Sequence, residues 1–226
     1  MKNRYIILLL LALFVLAGCG TEAKPPENGD QNPPVPENPP SAPSEELPDP
    51  EEFAGMRIAI LVAPSRWSQS EFESLYNNLT QYSHAQLIVM TINQEFTLQN
   101  SRTGEDVEVI LIDNVDPTSL DAIIINGGGG VDMFYHHETV LSFLVTMDEQ
   151  GKIIGGVCGG PNVIAAAGIV EGRKVAGHHF YQSLLESYGS GYARDPVLVD
   201  GNIVTGQAGR ERSIVRAVLI AIAANQ

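Results

Sequence analysis

The apolar residues of this chain fall into short runs between polar segments, and the runs are of two alternating kinds. Met56 to Ala63 is almost continuously apolar and stops at Pro64, the pattern of a strand covered on both faces. Residues 71–82 instead place Phe72, Leu75, Tyr76 and Leu79 at the spacing of one helical face, behind Ser68 and Ser70, which can cap a helix. The same reading predicts strands at 87–92, 107–112, 122–125 and 152–157, with helices at 137–149 and 161–167. A short strand follows at 173–176; runs at 196–199 and 202–205 then flank Asp200-Gly201, a hairpin signal, before a last helix at 212–224. Such alternation predicts an α/β fold, a single three-layer sandwich with a mostly parallel sheet. Sites in such folds lie at the carboxyl ends of the strands.

Before Gly55 the chain changes character. Lys2 and Arg4 precede an uncharged, apolar run from Tyr5 to Leu16, which Leu16-Ala17-Gly18-Cys19 closes. A dozen apolar residues suit the core of a signal peptide, whereas a spanning helix needs roughly 20. The segment resembles a bacterial lipoprotein signal over residues 1–18. That implies cleavage before Cys19, lipid on its sulfur, and an extracytoplasmic protein anchored to the membrane by its N-terminus. Residues 20–54 hold ten of the 14 prolines, nine acidic residues and one lysine. They bury too little apolar area to offset the entropy of ordering and read, with Cys19, as a disordered stalk over 19–54. The folding unit is then expected at 55–226, enough for one domain. About -8 of the chain's formal net charge of -14 falls on it, which disfavours nucleic acid as a partner.

With Cys19 lipidated, Cys158 is the one free thiol. It stands in Gly156-Val157-Cys158-Gly159-Gly160-Pro161, after an apolar strand and before a helix, and so matches Gly-x-nucleophile-x-Gly, the nucleophile elbow. Unpaired amides and the positive end of the helix dipole beside the sulfur are expected to lower its pKa and favour thiolate.

On these residues, and on 58–63, 121–128, 152–168, 173–178 and 200–205, the chain resembles the ThiJ/PfpI family of the class I glutamine-amidotransferase-like superfamily. That family includes PfpI-type proteases and the parkinsonism-associated protein deglycase. The resemblance implies a flavodoxin-like sheet and makes Cys158 the nucleophile, with the amides of Gly127, Gly128 and Gly159 as an oxyanion site. It also implies a carboxylate at the start of the first helix, Glu71 or its rival Glu73, and a histidine near the cysteine, His178 or the adjoining His179. Self-association as a homodimer is a further expectation from the resemblance.

The departures narrow the activity. Gly159 stands where proteolytic members carry histidine, and no histidine follows His179 to supply the His-x-Glu pair of amidotransferases. Residues 206–209 replace an Arg-x-Pro stretch. The expected substrate is a small reactive carbonyl compound, in the manner of family glyoxalases and deglycases, with no cofactor and no metal. An amide or peptide substrate is the alternative enzyme reading, and ligand binding or oxidant sensing the non-catalytic one. Trp67 and Tyr181 read either as pocket walls or as packing, and His136-His137 as a solvated helix start.

Overall fold

The computed structural model describes residues 46–101 and 103–226. The lipoprotein signal, Cys19 and the stalk up to residue 45 lie outside the described residues. In chain order the strands are β1 (Arg57–Leu61), β2 (Gln86–Thr91), β3 (Leu98–Gln99), β4 (Asp106–Val107), β5 (Val109–Leu111), β6 (Ala122–Ile125), β7 (Ile153–Val157), β8 (Lys174–Ala176), β9 (Gly191–Ala193), β10 (Val197–Asp200) and β11 (Ile203–Gly206). The helices are α1 (Gln69–Tyr82), α2 (Glu138–Glu149), α3 (Gly160–Ala166), α4 (Gln182–Ser187) and α5 (Glu211–Ala224).

The main sheet runs β10-β11-β7-β6-β1-β2-β5 and is parallel except at the edge, where β10 pairs antiparallel with β11. The chain leaves β1 toward β2 and β5, then crosses back to place β6 on the other side of β1. That reversal makes the carboxyl ends of β1 and β6 the switch point at which ligand crevices form in such sheets. The run at 56–63 is continuously apolar because the two faces of β1 belong to different cores. Ile58, Ile60 and Val62 pack with Phe72, Leu75 and Leu79 of α1 and with Val215 and Val218 of α5. Ala59, Leu61 and Ala63 pack with Val140 and Leu144 of α2 and with Val163 and Ile164 of α3. Each fully buried Leu, Ile or Phe in these layers contributes about 2 kcal/mol by removal from water.

Three features differ from the sequence expectation. The predicted strand 107–112 is divided: Asp106–Val107 pairs with Leu98–Gln99 in a small antiparallel ribbon, and only Val109–Leu111 reaches the sheet edge on β2. The folded unit also begins upstream of Gly55. Asp49 and Glu52 form a reciprocal capping box on a one-turn helix, Pro50–Phe53, whose Phe53 is fully buried. The hairpin is present, with Asp200 paired to Ile203, so its loop residues are Gly201 and Asn202.

Candidate active site

β7 delivers Cys158 and α3 carries the chain away, leaving Cys158 and Gly159 to make the turn, with Cys158 at its strained position. Its φ is 59°, a left-handed conformation that costs a non-glycine residue on the order of 1–2 kcal/mol. Two backbone bonds hold it there: Cys158 N–H donates to the Gly206 carbonyl at 3.0 Å, and its own carbonyl accepts from His178 N–H at 3.2 Å. The turn tolerates only glycine at its closest approach, because a Cβ on Gly160 would lie 2.5 Å from the Ile125 carbonyl oxygen.

Glu71 enters from the first turn of α1 and is buried. A Cβ on Gly127 would overlap Glu71 Oε2 and come within 2.7 Å of Cys158 Cβ, so the carboxyl, the thiol and the loop after β6 meet with no side chain between them. Glu71 Oε2 has no well-aligned hydrogen bond. The Cys158 thiol, the Ser68 hydroxyl and the Gly127 amide are nonetheless near enough to favour its charged form. Burial outweighs them and, with the charge of the buried Glu211 at the start of α5, raises the Glu71 pKa.

The thiol moves the opposite way from the sequence expectation. Burial first, then the negative charge of Glu71, push Cys158 up to about 11, against the lowering effect of the Gly128 and Gly159 amides. The helix start does present amides to the sulfur, but desolvation beside an acid dominates. Thiol and carboxyl therefore compete for one negative charge, and a thiolate arises where the carboxyl keeps the proton. We expect the rate of Cys158 alkylation to rise twice with pH. The first rise follows loss of the pair's first proton, and the second approaches pH 11. Glu71→Gln should leave a single transition, and two transitions persisting in that variant would refute the coupling.

The structure brings together Cys158, Glu71, Gly128 and Gly159 among the residues nominated from sequence. It assigns Gly127 differently: its amide faces Glu71, and its carbonyl accepts from Ser68 N–H at 3.1 Å. Glu73 turns away, accepting from Gln69 Nε2 at 2.9 Å and from Ser101 N–H at 3.2 Å. His178 reaches the elbow through its backbone; its ring Nδ1 accepts from Phe180 N–H at 3.3 Å and stacks on His179 at 4.5 Å. Among the described residues no hydrogen bond joins that ring to the sulfur. Trp67 is packing, edge-on to Phe72 and Phe96. Tyr181 is a wall of the site: its ring lies 3.6 Å from where a Cβ on Gly159 would be, and burial and the Cys158 charge raise its phenol pKa. His136 is exposed, but His137 is half-buried with Nδ1 out of contact with water, so only the first of that pair fits a solvated helix start.

At the mouth, Arg66 has φ 52°. Its carbonyl accepts from Gly130 N–H at 3.1 Å, and its guanidinium pairs with Asp132 at 2.7 Å. With both side chains at least half exposed, this pair adds little stability, yet it ties the loop after β1 to the loop after β6. Among the described residues no cluster of three or more His, Cys, Asp or Glu could hold a metal ion.

This arrangement can be set beside known proteins. The DJ-1/PfpI family profile matches residues 56–219, the span that contains every part of the site. The chain belongs to the DJ-1/PfpI family. Within the family it is 32% identical over 120 residues to an isonitrile hydratase of Pseudomonas putida, covering 53% of this chain and 48% of the relative. It is 30% identical over 105 residues to a deglycase of Thermococcus kodakarensis, covering 46% and 63%. The chain thus spans about half to two thirds of those relatives' lengths. A Pyrococcus horikoshii deglycase is matched over 90% of its length, at 27% identity and 67% of this chain. Among solved structures, a ThiJ/PfpI domain protein of Brachyspira murdochii superposes with a TM-score of 0.66 at 20% identity, over 74% of this chain and 96% of the other. Drosophila melanogaster DJ-1beta does so with 0.63 at 19%, over 75% and 96%. These likenesses show the DJ-1/PfpI fold.

Proposed function

We propose that this DJ-1/PfpI protein is a cysteine-dependent enzyme acting on small reactive carbonyl compounds without a cofactor. The observation that carries the reading is the meeting of the Glu71 carboxyl and Cys158 at Gly127, beside the amides of Gly128 and Gly159. With the proton on Glu71, the Cys158 thiolate adds to an aldehyde carbon. The carbonyl π pair becomes an alkoxide that the two amides stabilise, and Glu71 delivers its proton to give a neutral hemithioacetal. The regenerated carboxylate is then the base for the next proton transfer. For a 2-oxoaldehyde that transfer moves a proton from C1 to C2 through an enediol, leaving a thioester that water hydrolyses to a 2-hydroxy acid and free thiol. Tyr181 walls the site beside Gly159. Two deglycases among the relatives favour this class.

The full chain should convert methylglyoxal to lactate with no added cofactor, monitored as loss of the aldehyde and appearance of the acid. Absence of turnover with both methylglyoxal and glyoxal would overturn the reading. A second reading, addition of water to an isocyanide, is favoured by the Pseudomonas putida relative; formation of an N-formamide from cyclohexyl isocyanide distinguishes it.

We further propose that the enzyme works outside the cytoplasmic membrane, held by lipid on Cys19. The support is the charge and apolar pattern of residues 2–19 and the proline-rich tract that follows. The full chain expressed in a bacterium should enter the detergent phase on Triton X-114 separation, and Cys19→Ser should leave it in the aqueous phase or as the unprocessed precursor. Equal partitioning of mature wild type and variant would refute the anchor.

A further inference from the structure

Among the described residues two charged side chains are buried, and both are acids: Glu71, 8% exposed, and Glu211, 7% exposed. Each stands in the first turn of a helix, α1 for Glu71 and α5 for Glu211. These helices follow β1 and β11, which lie on opposite sides of the β6-β7 pair. Both helices pack into the core layer against which Cys158 is also packed. The two carboxyls therefore approach the end of β7 from its two flanks.

A first-turn carboxylate is favoured by the helix dipole even when exposed, so burial is what sets Glu211 apart. The neighbouring Arg210 and Arg212 are exposed, and Arg212 lies over the Tyr82 ring at 5.5 Å. Glu211 turns inward, and its Oε1 accepts from Gly209 N–H at 2.8 Å. That bond fixes the carboxyl to the loop that begins at Gly206, whose carbonyl accepts from Cys158 N–H at 3.0 Å. The groups facing Glu71 are Cys158 and Gly127 at the elbow, Ser68 before α1 and Glu211 from α5, with the Tyr181 phenol within reach of its charge. None of these is a cation. The negative charge of Glu211 raises the Glu71 pKa, whereas the charge that burdens Cys158 is that of Glu71 itself. Glu211 thus pushes the pair's shared charge from the carboxyl toward the sulfur.

We propose that Glu211 is a positioning residue that acts through Glu71: its buried carboxylate keeps the proton on Glu71, so that Cys158 carries the negative charge when it attacks. The use of that charge rests on the carbonyl reading; the coupling does not, and the two are measured apart. The first measurement needs no turnover. Alkylation of the full chain by iodoacetamide, followed on the Cys158 peptide by mass spectrometry, should reach a first plateau about tenfold slower in Glu211→Gln than in wild type. The first rise should move to lower pH and the second should stay in place. Glutamine keeps an acceptor for Gly209 N–H and removes the charge. Glu211→Asp keeps the charge but withdraws from Gly209, and should stay within about threefold of wild type. In the Glu71→Gln background, adding Glu211→Gln should change no rate by more than about twofold, because the group through which it acts is gone. The second measurement is methylglyoxal turnover, whose kcat/KM at neutral pH should fall about tenfold in Glu211→Gln. A slower plateau with no turnover by wild type retains the role of Glu211 and defeats the carbonyl reading alone. Identical plateaus in wild type and Glu211→Gln, a Glu211→Asp profile matching that of Glu211→Gln, or an equal loss in the Glu71→Gln background would each overturn the proposal.

Discussion

Cys158→Ala is expected to abolish methylglyoxal turnover, by roughly a thousandfold or more, while the protein remains folded. In the proposed reaction the sulfur is the atom that bonds to substrate, and a methyl group can neither add to a carbonyl nor leave from a thioester, so no partial activity should survive through that route. The fold has little stake in the thiol. Cys158 is only half-buried, and the turn is held by its backbone bonds to Gly206 and His178, which alanine keeps. Cys158→Gly should be equally inactive, yet its melting temperature should exceed that of Cys158→Ala, because glycine accepts a φ near 59° without the cost of about 1 kcal/mol that alanine bears. Turnover within tenfold of wild type in either variant would sink the nucleophile assignment. A glycine variant no more stable than the alanine one would mean that the turn is relaxed.

That same turn shows what a sequence reveals. The Gly-x-Cys-x-Gly segment is legible because its signal is local: both glycines stand within two positions of Cys158, although the carbonyl that Gly160 makes room for belongs to Ile125. The strand at 122–125 is legible because both of its faces enter a core, Ala122 and Ile124 on one side and Ile123 and Ile125 on the other, so no polar residue interrupts it. Phe53 is hidden in the proline-rich tract, since a one-turn helix has no period to detect. The six-residue α4 and the three-residue β9 are illegible for the same reason.

The charge state of Cys158 is not legible in the sequence, for a different reason. Its nearest neighbours in sequence supply amides that lower the pKa, whereas the dominant effects come from burial and from Glu71, a group 87 positions away in the chain. Glu71 was identified through a family position, and periodicity alone could not separate it from Glu73, since both stand in the first turns of α1 and both lie three residues after a serine. The decision is three-dimensional: the helix start is rotated so that Glu71 faces the elbow and Glu73 faces Gln69 and Ser101. Tyr181 reads from sequence as either a pocket wall or packing, and only the structure decides, because the residue comes to the site from a short 3-10 turn whose course is set by packing.

Gly127 is where these effects can be separated by one added methyl group. In Gly127→Ala the new Cβ would overlap Glu71 Oε2, lie 2.7 Å from Cys158 Cβ and 3.0 Å from the Val157 carbonyl oxygen. Two of those neighbours belong to the strand and elbow and cannot withdraw, so the carboxyl must. We expect turnover to fall at least roughly a hundredfold, the penalty for displacing a catalytic group by an ångström, and stability to fall by about 2 kcal/mol from overpacking. Adding Glu71→Ser removes the group that overlaps most. The double variant should regain part of the lost stability and none of the activity, a coupling that thermal unfolding of the four members of the cycle reads directly. Additive stability changes would show that the strain falls on the strand and not on the carboxyl. Activity restored in the double variant would show that Glu71 has no part in the chemistry.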